Sequence, residues 1–213
     1  MNELPPGWST AQLAEICTSI TDGDHQPPPQ TEDGIPFLVI GNVRSGEVNF
    51  AGCRHVPEDY FDALAETRKP RKGDVLFTLV GSYGIPVLVR EDVPFCVQRH
   101  IGMLRPSKEI SSRYLALALS DRAVYDQATH IATGTAQMTV PLSGLRRMVI
   151  PVPPRQEQDR IVAAIEEQFS QVDAGTIALR RARRNLGRMR TSVLEYAVAV
   201  SYTHLTLPTI LRV

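Results

Sequence analysis

The sequence predicts an α+β protein: a mixed globular domain of short strands, followed by one long heptad-patterned helix. Three observations predict it. Within residues 1–154 lie 12 of the 14 glycines and 15 of the 16 prolines, the punctuation of short strands and turns. Between Pro154 and Pro208 there is no proline. In that stretch Ile165, Val172, Leu179, Leu186, Val193 and Val200 recur every seventh residue, with Ile161, Ala182, Met189 and Tyr196 on the flanking row. A stripe of that period marks a helix that needs a packing partner.

The elements follow in order. Leu4-Pro5-Pro6-Gly7-Trp8 is a turn, and Trp8, Leu13 and Ile16 form an apolar set on one short helix or strand. Ile35 to Ile40 is a buried strand, which Gly41-Asn42-Val43 leaves. Gly73-Asp74 turns into a strand running to Val80, Gly81-Ser82-Tyr83-Gly84 is a tight turn, and Ile85 to Val89 is the returning strand. Val93 to Met103 reads as another strand, Ser112 to Tyr125 as a helix and Leu145 to Ile150 as a closing strand.

Pro151-Val152-Pro153-Pro154 is the joint. Its prolines stiffen the chain and prevent an earlier helix start. The helix, residues 155–200, opens with Glu157 and Asp159 at its positive end. At ~1.5 Å per residue it is roughly 70 Å long, more than a globular core can cover. The expected packing residues are Ile161, Ile165, Val172, Leu179, Leu186, Met189 and Val193. Gln168 and Gly175 interrupt the flanking row, so either an imperfect coiled coil or a hinge is expected, with a bend or fraying between Phe169 and Thr176. Residues 201–213 lose the heptad phase and contain Pro208; they read as a disordered or non-native tail, in which case the natural chain continues past Val200.

Composition narrows the function. The chain has 213 residues, 43% of them hydrophobic and 22% charged, which suits a globular protein with one sizeable core. Its net charge is zero, so any nucleic-acid contact must use local patches. Residues 1–154 carry net −3 and residues 155–213 net +3. Cys17, Cys53 and Cys96 are too few and too scattered for a disulfide framework and fit a reducing cytoplasm. No apolar run is long enough to span a membrane, and Met1-Asn2-Glu3-Leu4-Pro5-Pro6 is not a signal peptide.

No catalytic constellation stands out. There is no phosphate-binding loop ending in Lys-Ser or Lys-Thr, no His-Glu-x-x-His, no Cys-x-x-Cys and no Gly-x-Ser-x-Gly. A Gly-rich methyl-donor loop and an Asn-Pro-Pro-Tyr or Asp-Pro-Pro-Tyr signature are also missing. Asp22, Asp24 and His25 could touch a metal, but Thr21-Asp22-Gly23-Asp24 reads better as a turn whose side chains bond backbone. Cys53-Arg54-His55 is an isolated pair. No catalytic residue, metal or cofactor is assigned, and the chain reads as non-catalytic by itself.

Four segments together resemble the specificity subunit of a bacterial type I restriction-modification system. They are Thr21-Asp22-Gly23-Asp24-His25 followed by Pro27-Pro28; Gly73-Asp74-Val75-Leu76-Phe77-Thr78 running into Gly81-Ser82-Tyr83-Gly84; Cys96-Val97-Gln98-Arg99-His100-Ile101-Gly102-Met103-Leu104-Arg105-Pro106; and Gly134-Thr135-Ala136-Gln137-Met138 with Ile150-Pro151-Val152-Pro153-Pro154 and Glu157-Gln158-Asp159-Arg160-Ile161-Val162. The last joint is the most specific, and the likeness covers residues 1 to about 200. The resemblance implies a target-recognition domain at 1–154 and a spacer or dimerisation helix at 155–200. It implies that the domain reads one half of a split sequence in double-stranded DNA. Methyltransferase subunits would then modify adenine at N6, and ATP-driven restriction subunits would cleave. A full subunit has two such domains and helices. This chain has one of each, so it is expected to be half of a longer subunit or a half-size subunit that self-dimerises through the helix.

Reading bases requires side chains with paired donors or acceptors. Gln26, Gln98, Arg99 and Gln137 are the candidates, with Arg44, Arg68, Lys69, Arg71 and Lys72 as backbone-positioning cations. Some have a plainer alternative: Gln137 as a loop bond and 68–72 as a solvated turn; Gly81 and Gly84 read as turn formers rather than DNA contacts. Arg180, Arg181, Arg183, Arg184, Arg188 and Arg190 put six arginines in eleven residues and wrap more than one face; DNA backbone, a partner subunit and solvent are all open for them. The competing function is a coiled-coil assembly or adaptor protein without DNA contact, for which the 68–72 run and the glutamines should share no face.

Overall fold

The computed structural model describes residues 4–25 and 28–205, with side chains to Ala199. Two units result, residues 1–162 and residues 163–213. In the first, β1 (Ser9–Gln12) leads through the one-turn helix α1 (Leu13–Ile16) into β2 (Cys17–Asp22). Then come β3 (Ile35–Leu38), a 3₁₀ turn (Ile40–Asn42), β4 (Arg54–Val56), α2 (Glu58–Ala63) and a second 3₁₀ turn (Glu66–Arg68). The strands β5 (Val75–Thr78), β6 (Pro86–Leu88), β7 (Cys96–Val97) and β8 (Ile101–Pro106) follow, then α3 (Ser112–Leu119), α4 (Arg122–Ile131), α5 (Leu142–Arg147) and β9 (Val149–Val152). The last element, α6, runs Arg155–Leu205.

The core is organised by a four-stranded antiparallel sheet in the order β2-β8-β5-β6. All four residues of β5 are buried, the mark of a strand covered on both faces. Val75 and Phe77 pack with Ile20, Leu104, Leu115 and Leu145 on the side covered by helices. Leu76 packs on the other side with Val87, Met103, Leu38 and Phe95. There a smaller sheet, β4-β3-β7, adds a second layer, with β3 parallel to β7. The two ends of the unit are tied by β1 against β9.

Four local readings are corrected. The segment 93–103 is two strands in two sheets, because a turn at Arg99 and His100 reverses the chain between β7 and β8. The helical stretch 112–125 is two helices, because Asp121 starts α4 by accepting a hydrogen bond from Ala123 N–H at 2.7 Å. Leu145 belongs to α5, and the closing strand begins at Val149. The helix α6 is unbroken through Gly175 and continues to Leu205, so residues 201–205 are helical rather than disordered; residues 206–213 of the expected tail lie outside the described residues.

The first unit extends past Pro154 to Val162 for a physical reason. Gln158 is 1% exposed and Val162 5%. Ser111 N–H donates to Gln158 Oε1 at 2.8 Å, and Gln158 Nε2 donates to the carbonyls of Pro153 at 3.0 Å and Glu109 at 3.2 Å. The first turns of α6 are thus fastened by a saturated buried amide. Beyond them Val172, Leu179, Leu186, Met189 and Val193 are exposed, while Ile161 and Ile165 are half-buried. Among the described residues no helix is long and apolar enough to cross a membrane.

Candidate nucleic-acid interface

Strand direction alone sorts the candidate residues. Because β8 is antiparallel to both β2 and β5, the C-terminal ends of β2 and β5 meet the N-terminal end of β8: Asp22 pairs with Gly102 and Thr78 with Ile101. The N-terminal end of β6 joins them through Pro86 opposite Phe77. One edge of the sheet therefore collects the loop after β2, the turn at 81–84 and the turn at 98–100. Residues 133–139 reach the same edge, where Gly81 N–H donates to the Met138 carbonyl at 3.0 Å and Val80 bridges Thr139.

Each loop is held by specific contacts. Gly23 lies so close to the next strand that a Cβ there would collide with the Val97 carbonyl oxygen, so the approach of Asp24 to Gln98 in a parallel bridge demands glycine. Asp22 Oδ2 stands 3.0 Å from His25 Nε2. Asp24 accepts a hydrogen bond from Tyr60 hydroxyl at 2.9 Å and pairs with Arg68 at 3.4 Å. Burial first, then that bond to Asp24, pushes the Tyr60 hydroxyl well above the usual phenol range. Thr21 hydroxyl donates to the Thr67 carbonyl at 2.7 Å, clasping the second 3₁₀ turn to β2.

Gln98 fixes its turn by backbone alone: its N–H donates to Leu38 and its carbonyl accepts from Ile101. Its side chain is half-buried and that of Arg99 exposed. Arg99 Nε donates to His100 Nε2 at 3.4 Å, a bond that needs the neutral ring. Burial, then the Arg99 charge, hold His100 below the usual imidazole value. Gln137 is exposed, and its Nε2 lies 3.0 Å from where a Cβ on Gly81 would sit. Across this edge Tyr83 stacks on Tyr125 with centroids 5.7 Å apart. Arg44 stands exposed on the turn after Ile40–Asn42, and Gln26 lies outside the described residues.

The basic run 68–72 does not stay at this edge. Arg68 does, through Asp24. Lys69 is spent on structure: it pairs with Glu66 at 2.8 Å, donates to the Asp62 carbonyl at 3.1 Å and sits over the Phe61 ring. Arg71 pairs with Glu66, and its N–H donates to Asp74 at 2.9 Å. Asp74 marks the opposite edge, where Arg105 donates to both its oxygens at 2.8 and 3.0 Å and to the Lys69 carbonyl at 3.1 Å. A cleft of about 370 Å³ opens there, lined among others by Arg71, Lys72, Arg105, Lys108 and Arg155. Arg105 is neutralised by Asp74 and Arg155 by Asp159; Lys72 and Lys108 are exposed.

Sequence reasoning passed over His100, Tyr60 and Gln158. For Gln158 a signal existed, since it falls on the same helical row as Ile161, Val162 and Ile165, a polar residue in an apolar stripe. Tyr60 gave none, because 36 residues separate it from Asp24. Among the described residues no group of three His, Cys, Asp or Glu is placed to hold a metal.

Comparisons with known proteins agree with this architecture. The model of the family described as type I restriction modification DNA specificity domain matches residues 5–186. The EcoBI type I restriction enzyme specificity subunit of Escherichia coli is 27% identical over 198 residues, which span 91% of this chain and 42% of that protein. The StySPI specificity subunit of Salmonella potsdam is 24% identical over 94% of this chain and 44% of its own length. A solved chain from work on complex assembly and conformational transition of the type I R-M system superposes with TM-score 0.68 at 24% identity, covering 92% of this chain and 46% of that one. The HsdS subunit from Thermoanaerobacter tengcongensis superposes with TM-score 0.57, also at 24% identity, covering 81% of this chain and 40% of that one. The chain thus spans less than half the length of these relatives.

Proposed function

Because the chain belongs to the family of type I restriction-modification DNA specificity domains, we propose that it reads one half of a bipartite target in double-stranded DNA. It directs methyltransferase subunits to adenine N6 and restriction subunits to ATP-dependent cleavage, and is non-catalytic alone. The observation that carries the reading is the gathering of Gln98, Arg99, Gln137, His25 and Arg68 at one edge of the central sheet. Side chains with paired donors and acceptors, held on turns that a rigid sheet fixes, suit base edges in a major groove. Gln98 and Arg99 are assigned to bases, with Gln137 beside them. Arg68 and Arg44 are assigned to phosphates. Lys69 is withdrawn from the set because its ammonium is already held by Glu66 and Asp62, and Arg71 and Lys72 contribute at most from the opposite edge.

The helix α6 supplies the spacing. Its exposed row Val172, Leu179, Leu186, Met189 and Val193 supports pairing with the helix of a second specificity half or of another copy. Helix rise then converts residue number into the distance between two reading heads. The reaction belongs in the cytoplasm, which the free Cys17, Cys53 and Cys96 fit. The same exposed row favours the second reading, an assembly adaptor that never touches DNA.

The test is to purify the full chain with a matching methyltransferase subunit and map the adenines that become methylated. A single sequence context is the expected outcome. Methylation without sequence preference overturns the reader assignment, and loss of assembly on Leu179→Asp with DNA binding intact separates spacing from reading.

A further inference from the structure

Most of the arginine block of α6 has a geometry that neither base reading nor helix pairing uses. At about 100° per residue, the seam through Leu179, Ala182, Leu186 and Met189 occupies about 80° of the helix circumference. Arg180, Arg181, Arg183, Arg184, Arg188 and Arg190 fall on one arc of about 180° whose centre is about 150° from the seam. They form one face, not several as the bare count suggests, and all six are exposed. Three other exposed arginines on helices are paired within a turn: Arg122 with Asp126, Arg155 with Asp159, Arg160 with Glu157. In the block no such pair can form, because no acidic residue occurs between Asp173 and Glu195 and none of the six has a carboxylate within four positions. Instead Arg180 and Arg184, and Arg184 and Arg188, stand at i, i+4, a spacing at which like charges oppose the helix.

We propose that this face is a second DNA-contacting surface, which takes the phosphate backbone of the duplex without regard to sequence. Charge complementarity decides the occupant. Between Arg180 and Arg190 the only other residue on the arc is Gly187, so the face has no apolar centre. A protein partner needs such a centre to bury, whereas a phosphate backbone needs only cations and donors. Every cation is arginine, whose fork engages phosphate oxygens in pairs. With the seam against another helix, Arg183 and Arg190 flank the contact, while Arg180, Arg181, Arg184 and Arg188 stay on the far side. The inference rests on the reading that the ligand is duplex DNA, and adds a surface that would hold DNA while the reading head samples it.

The experiment measures binding of the full chain to a fluorescent duplex of arbitrary sequence across a salt series, for wild type and for the triple variant Arg181→Gln, Arg184→Gln, Arg188→Gln. Glutamine keeps the helix propensity, and circular dichroism checks the helix. The variant should bind more weakly, with a log affinity–log salt slope shallower by about 0.9 for each phosphate no longer engaged. Lysine at the three positions should restore the slope. An unchanged slope and affinity with intact helicity overturns the proposal. The double variant Gln98→Ala, Arg99→Ala, assayed in parallel on target against arbitrary duplex, separates the two readings. Lost discrimination there with an unaltered helix variant leaves the reading head standing and removes the arginine face. A shallower slope in the helix variant with undiminished discrimination in the head variant does the reverse.

Discussion

The two edges of the central sheet use the same residue types to opposite ends. At the Asp74 edge a carboxylate that is 3% exposed accepts both Arg105 nitrogens and a backbone N–H, and the Gln158 amide is saturated by one donor and two acceptors. At the 98–100 edge the glutamine and arginine side chains stand at or near the surface, and the one bond joining Arg99 to His100 is long at 3.4 Å. A polar group that is buried and satisfied specifies the fold. A polar group left open on a rigid turn is free to specify something else.

Breaking the locked edge should have the largest effect. Asp74→Ala leaves Arg105 without its carboxylate, and should cost about 3 kcal/mol, toward the low end for a broken pair because Arg105 keeps the Lys69 carbonyl and some water. Chemical denaturation should show a lower midpoint at constant m. Gln158→Leu leaves the Ser111 N–H and two carbonyls unpaired and should cost about 2 kcal/mol in the same assay. If either variant is as stable as wild type, that edge is not a lock.

The open edge should respond in the other observable. Gln98→Ala and Arg99→Ala should each leave stability within about 0.5 kcal/mol of wild type, while lowering discrimination between target and non-target duplex by about tenfold, the size of one bidentate base pairing. Competition binding measures it, and a variant that loses stability but not discrimination would erase the contrast between the edges.

The smallest effect is the pH response of His100. Its folded value is lowered by burial and by Arg99, so the unfolded chain takes up the proton first as pH falls. The contribution to stability is complete above the ordinary imidazole value near pH 6.5 and is lost as pH drops through the lowered folded value. His100→Gln should flatten that part of a stability–pH curve.

Much of this was legible in the chain itself. The heptad row and the absence of proline between Pro154 and Pro208 identify α6, because helix period is a local property. Val75 to Thr78 reads as a strand because four consecutive apolar or β-branched residues suit a doubly covered position. The split of 93–103 into two strands was not legible, since apolar residues on both sides of Arg99 and His100 mask a turn that only the pairing with two different sheets imposes.

The site divides the same way. Residue type alone marked Gln98, Arg99 and Gln137 as candidate base readers, with Gln137 in a polar loop and Gln98 and Arg99 inside an expected strand. Tertiary structure decided that β8 runs against both β2 and β5, and this brings those turns to one edge and carries Arg71 and Lys72 to the other. Charge density within a sequence says how many cations are near one another along the chain. Strand direction decides which of them face the same way, because each reversal of the chain moves its ends by the full length of a strand.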